Sequence, residues 1–156
     1  MKKNRYLNLV AILLLSILFS RCEKAQDLIS AKMEAKIDGV EWKSITRATN
    51  LVNNYFLIVG TSSAGEIIEI TILGNSEGTY NLDLSNFEFS AIYKPNISST
   101  TENYVASSGT IELSELDTDN KKISGTFQFD AYKNLTEKIS ITEGTFENLN
   151  YIIGSK

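Results

Sequence analysis

Cys22 is the only cysteine in the chain, and its surroundings give that thiol a use. It follows a basic start (Lys2, Lys3, Arg5) and an apolar run, residues 7–19, in which only Asn8 and Ser16 are polar. Such a run suits the h-region of a signal peptide and falls short of the roughly 20 residues that span a bilayer. The basic residues hold the N-terminus on the cytoplasmic side. A lone cysteine just after the run, in Phe19-Ser20-Arg21-Cys22, has the form of a bacterial lipobox. In that chemistry the thiol takes a diacylglycerol, the chain is cut before the cysteine, and acyl chains such as palmitate make the new N-terminus a membrane anchor. Ser20 fits the box. Arg21 departs from the Gly, Ala or Ser that usually precedes the cysteine, which puts the efficiency of processing in question. The alternatives are a secreted protein with an incidental cysteine and an uncleaved signal anchor. Lipidation at Cys22 also removes an exported free thiol, and without a second cysteine no intramolecular disulfide can form.

The other groups that could do chemistry are fewer and weaker. Asp117-Thr118-Asp119-Asn120 is acidic, but the EF-hand loop needs Gly at its sixth position and Glu at its twelfth, where this chain has Lys122 and Gln128. A solvated turn is the expectation, and no metal site. Glu112 and Glu115 lie on a neighbouring strand, and a carboxylate pair without a pocket is not an acid–base site. Asn96-Ile97-Ser98 and Asn134-Leu135-Thr136 match the eukaryotic glycosylation sequon, a match that a bacterial envelope protein would carry by chance. Residues 93–104, with Tyr55 and Phe56, could line a ligand rim, though packing beneath a loop is the plainer reading. The chain has no histidine, which removes the commonest general base and transition-metal ligand. No catalytic residue, no cofactor and no enzyme activity are expected.

Composition bounds the rest. The chain has 156 residues and a formal net charge of −4. A cut before Cys22 would remove Lys2, Lys3, Arg5 and Arg21 and leave a more acidic domain. That argues against nucleic acid and against a polybasic membrane patch. Residues 1–21 therefore read as a signal peptide, 22–31 as a tether, and 32–156 as a single β-domain large enough to bury a core.

Within that domain, Asp38-Gly39 is a type I′ turn dipeptide. A two-residue loop pairs Ile37 with Val40, Lys36 with Glu41, Ala35 with Trp42 and Glu34 with Lys43, placing apolar residues on one face and opposite charges on the other. Residues 47–54 read as a polar connection. Strands are expected at 55–62, 66–73, 79–84 and 87–93, then a loop at 94–103. A second long hairpin joins 104–116 to 121–133. With a three-residue loop and Asn120 left-handed, it pairs Ile111 with Phe127, Leu113 with Gly125 and Gly109 with Phe129. Strands at 138–142 and 145–153 finish the domain. A Gly-Thr dipeptide recurs at residues 60, 78, 109, 125 and 144, each reading as a bend or close backbone approach followed by a β-former. About nine or ten short strands and no helix mean an all-β fold, an antiparallel β-sandwich or a closed β-barrel.

Residues 35–42, 108–111 and 116–127, with the sequences AKIDGVEW, SGTI and LDTDNKKISGTF, resemble a family of small uncharacterised lipoproteins of Bacteroidota that carry a domain of unknown function. The resemblance covers about residues 32–149. It implies a Gram-negative cell envelope and an outer-membrane lipid anchor, with the domain periplasmic or surface-exposed. It transfers no catalytic or binding residue. The expectation is a lipid-anchored, non-enzymatic binding or structural module. Its membrane partner is reached through Cys22, and its protein or small-molecule partner is unassigned. The alternative is a small lipocalin-like barrel holding an apolar ligand.

Overall fold

The computed structural model describes residues 31–73, 76–85, 88–98 and 102–154. The expected signal peptide and Cys22 lie outside these residues. Among the described residues ten strands follow one another: β1 Lys32–Ile37, β2 Val40–Val52, β3 Tyr55–Ser62, β4 Ile67–Leu73, β5 Gly78–Asp83, β6 Ser90–Lys94, β7 Tyr104–Asp117, β8 Lys122–Lys133, β9 Glu137–Asn150 and β10 Ile152–Ile153.

Asp38-Gly39 sets the first pairing. Both residues have positive φ, 48° and 83°, as a type I′ turn requires. The β1–β2 ladder has the expected register, Ile37 to Val40 through Glu34 to Lys43. One expected charge pair is redirected. Lys36 reaches Glu143 on β9 at 2.7 Å instead of Glu41, while Lys43 lies 3.9 Å from Glu34. The two-residue solution recurs at Asn53-Asn54, with φ of 51° and 67°. This is why residues 47–54 are not a loop. β2 runs on to Val52 and pairs residue by residue with β3. Its polar composition reflects a face turned to solvent.

Hydrogen-bonded neighbours run β1-β9-β8-β7-β6-β4-β3-β2, and β2 pairs back to β1, so eight antiparallel strands close into a barrel. The remaining two strands share seats in the wall. On one edge of β7, residues 104–105 pair with β6 and residues 108–113 with β5. On one edge of β2, residues 40–43 pair with β1, and Asn50 and Leu51 pair in parallel with β10. The barrel therefore has a lower rim, formed by residues 38–39, 63–66 and 134–136, the end of β6 and the start of β7. Its upper rim is formed by residues 53–54, 118–121 and β10.

Alternation fills the interior. Along β3, Phe56, Ile58, Gly60 and Ser62 are buried, and along β8, Ile123, Gly125, Phe127, Phe129 and Ala131 are. Phe56, Ile58, Ile68, Ile70, Ile72, Ile111, Ile141 and Phe146 have no exposed surface. An eight-stranded barrel has an interior just wide enough for side chains to fill it. Each such side chain contributes about 1.5–3 kcal/mol on burial.

Bulges adjust the registers. In the β7–β8 hairpin, Asp117 pairs with Lys122, so the loop has four residues and Lys121, not Asn120, takes positive φ at 56°. A bulge between Leu113 and Glu115 removes the extra residue, and Leu113–Gly125, Ile111–Phe127 and Gly109–Phe129 pair as expected. The expected strands at 138–142 and 145–153 merge into β9 as far as Asn150, with an irregularity opposite Phe127–Phe129 and Glu143 at φ 52°, and residues 152–153 leave it to form β10.

Candidate functional site

The structure disperses most of the residues that the sequence singled out. Cys22, the expected lipidation site, is outside the described residues. Asp117 is spent on its own turn, where its carboxylate accepts from the Asn120 backbone N–H at 2.8 Å and from Asn120 Nδ2 at 2.7 Å. The Asn120 backbone bond, followed by its side-chain bond, holds that carboxyl below the usual carboxylate range. Glu115 accepts from Ser124 Oγ at 2.8 Å, while Glu112 faces outward across from Thr79 and Thr126. Asn96 caps its own turn through the Ser98 N–H. The tyrosines divide between the two rims. Tyr93 and Tyr104 lie 6.0 Å apart near the lower rim, whereas Tyr55 and fully buried Phe56 belong to the upper half of β3. Among the described residues, no three His, Cys, Asp or Glu side chains are grouped to hold a metal ion.

What the fold does build is a polar trough on the outer wall of β5, β7, β8 and β9. Each Gly-Thr dipeptide on these strands places the threonine outside. Thr79 pairs with Glu112, Glu112 with Thr126, and Thr126 with Thr145. One row down, Asn81 pairs with Thr110 and Thr110 with Gln128. A groove of about 530 Å³ runs between Thr79, Glu112, Thr126, Gln128, Glu143 and Thr145. At Gln128 it meets a second groove of about 210 Å³ that includes Ser108, Asp130 and Thr142.

Gly144 and Gly109 line the floor of these grooves. A Cβ on Gly144 would stand 2.5 Å from the Phe127 ring, and one on Gly125 would collide with the Phe146 ring. Gly109, at φ +148°, would place a Cβ 2.6 Å from Phe129 Cα. The rings lie over bare backbone, a device that stabilises strand glycines. At the trough's lower end, Ser140 Oγ donates to Asp130 at 2.6 Å and Lys138 pairs with it at 2.9 Å. The Ser140 bond, followed by the Lys138 bond, lowers the Asp130 pKa. The trough can hydrogen-bond an extended polar partner through hydroxyls, an amide and carboxylates. The recurring Gly-Thr dipeptides were its sequence signal, visible as a backbone feature but not as a surface.

Two further features flank it. Near the lower rim, Tyr93 donates to Glu66 Oε1 at 2.9 Å and Ser62 donates to Glu66 Oε2 at 2.9 Å. Ser62 Oγ in turn accepts from the N–H groups of Ala64 and Glu66. Burial, followed by the Glu66 bond, raises the Tyr93 pKa. This circuit satisfies its own donors and acts as a turn cap. Beside it, Leu84, Val105, Tyr132 and Leu135 border an apolar groove of about 370 Å³. Leu135 is 83% exposed and has φ 60°, a left-handed conformation that a leucine resists.

No curated protein and no solved structure matches the chain. A family model does match, over residues 30–150, and it describes a domain of unknown function. By that match the chain belongs to the DUF6252 family.

Proposed function

We propose that this chain is a lipid-anchored domain of the cell envelope, held at the outer membrane through Cys22, and that it works as a non-enzymatic binding or structural module. The observation that carries this reading is the division of the barrel into a packed inside and a polar outside. Phe, Ile, Leu and Met side chains fill the interior, and the trough over β7, β8 and β9 offers hydrogen-bonding groups to a partner. The packed interior favours this reading over a lipocalin-like barrel, which needs a lined chamber of a few hundred Å³. The Phe19-Ser20-Arg21-Cys22 segment supports the anchor.

The test is growth of a producing Gram-negative strain with labelled palmitate, for the natural chain and for Cys22→Ala. The reading expects label on the natural chain in the outer-membrane fraction and none on the variant. An unlabelled natural chain in the soluble fraction would contradict it.

A further inference from the structure

We propose that the upper rim, through Val52, Tyr55, Ile152 and Ile153, docks on the surface of the lipid bilayer; this rests on the anchor reading for the choice of membrane. β10 motivates it. Consecutive residues of a strand point to opposite faces, so one of two neighbours should be covered. Ile152 and Ile153 are instead 67% and 62% exposed. Their presentation is fixed by the residue before them. Tyr151 is buried, packs edge-on against Phe56 at 5.1 Å, and donates its N–H to the Lys121 carbonyl.

The four apolar residues lie together at one corner of the upper rim. Val52 and Tyr55 pair across the Asn53-Asn54 turn and are 37% and 39% exposed. β10 pairs with β2 at Asn50 and Leu51, and the Gly154 N–H continues the contact to the Leu51 carbonyl at 2.9 Å. A Cβ on Gly154 would stand 2.6 Å from Val52 Cγ2, so the end of β10 and Val52 touch. The turn between Val52 and Tyr55 is two uncharged asparagines.

The occupant follows from the patch's size and place. Four residues are far fewer than the roughly 20–30 per side of a stable protein interface. Isoleucines beside a tyrosine suit the boundary between headgroups and acyl chains, where aromatic rings with a polar tip collect. Lys32 pairs with Glu147 and Ile37 with Ile141, so β1 starts in the upper half of the wall and runs down. Ala31, which precedes β1, therefore stands on the upper side. The ten residues from Cys22 to Ala31 can span at most about 35 Å when fully extended. A lipid on Cys22 keeps the patch within reach of the bilayer.

The test uses the full chain reconstituted in vesicles of phosphatidylethanolamine and phosphatidylglycerol containing acyl-brominated lipid. Tryptophan is placed at the upper rim (Ile152→Trp) or, as control, at the lower rim (Leu135→Trp). The sole natural tryptophan, Trp42, is buried and supplies a constant background. The added emission of Ile152→Trp should fall by about half as that residue enters the boundary region, and that of Leu135→Trp should not. Intact mass of the same sample reports acylation separately. An acylated chain with unquenched Ile152→Trp overturns docking and leaves the anchor standing. An unacylated chain with quenched Ile152→Trp upholds docking and removes the anchor, and one without quenching overturns both. An Ile152→Trp blue shift that grows with protein concentration and ignores bromine means that the patch meets a second copy, which overturns the proposal.

Discussion

Asp38 and Ser140 exchange two hydrogen bonds across the closing seam of the barrel. The Asp38 N–H donates to the Ser140 carbonyl at 2.9 Å, and the Ser140 N–H donates to Asp38 Oδ1 at 2.8 Å. A turn residue at φ 48° thereby locks the β1–β2 hairpin onto β9, 102 residues later. Asp38→Ala removes the acceptor and places Ala in a left-handed conformation. It should cost about 1–3 kcal/mol in urea unfolding. Asp38→Asn keeps an acceptor oxygen and tolerates positive φ, so most of the stability should remain. Equal losses in the two variants would mean that the Ser140 bond does not hold the seam.

Gly144 and Phe127 approach closely beneath the trough, where an added Cβ would stand 2.5 Å from the ring. Gly144→Ala should destabilise by about 1–3 kcal/mol through overpacking. If the ring is the obstacle, Phe127→Leu in the same chain should soften that cost, with a coupling of about 1 kcal/mol in a double-mutant cycle. Additive losses would place the obstacle at the Phe127 carbonyl, which the added Cβ also meets.

Leu135 carries two penalties, apolar exposure and a left-handed backbone. Leu135→Gly turns Asn134-Leu135 into the preferred Asn-Gly turn. It should raise stability by about 0.5 kcal/mol or more, the relieved strain exceeding the added freedom of the unfolded chain. A fall in melting temperature would contradict this.

Acid and base should loosen different parts of the lower half. Asp130 has its pKa lowered by Ser140 and Lys138, so protons bind the unfolded chain more readily. Its contribution is present above the ordinary Asp value of about 3.9 and is lost as pH falls through the lower folded value. Because the carboxylate is partly exposed, the effect is small. Asp130→Asn should flatten the fall in melting temperature below about pH 4. Tyr93 has the opposite sign. Its raised pKa means that the unfolded chain ionises first, so its contribution is present below about pH 10 and declines above it. Tyr93→Phe should weaken that alkaline decline. Profiles unchanged by either substitution would refute the assignment.

The sequence made the local pairings legible and left the long-range ones hidden. Asp38-Gly39 fixed a hairpin because its turn chemistry and its facing residues agree on one register. The β7–β8 pairs were also legible, although through two compensating differences: a loop one residue longer than expected and a bulge at Ser114 that absorbs it. Asn53-Asn54 was missed because two asparagines read as a polar loop until β3 is seen to pair back on β2. Closure depends on β1 meeting β9, a contact that no local pattern encodes. For the same reason the trough could not be read, since its threonines come together only when four strands align.

The central claim is that Cys22 carries lipid and holds a packed barrel at the membrane. The most direct measurement is the intact mass of the membrane-extracted protein beside Cys22→Ala. The account predicts residues 22–156 plus acyl chains for the natural protein, and loss of that species in the variant. A natural chain with no added mass at Cys22 would contradict it.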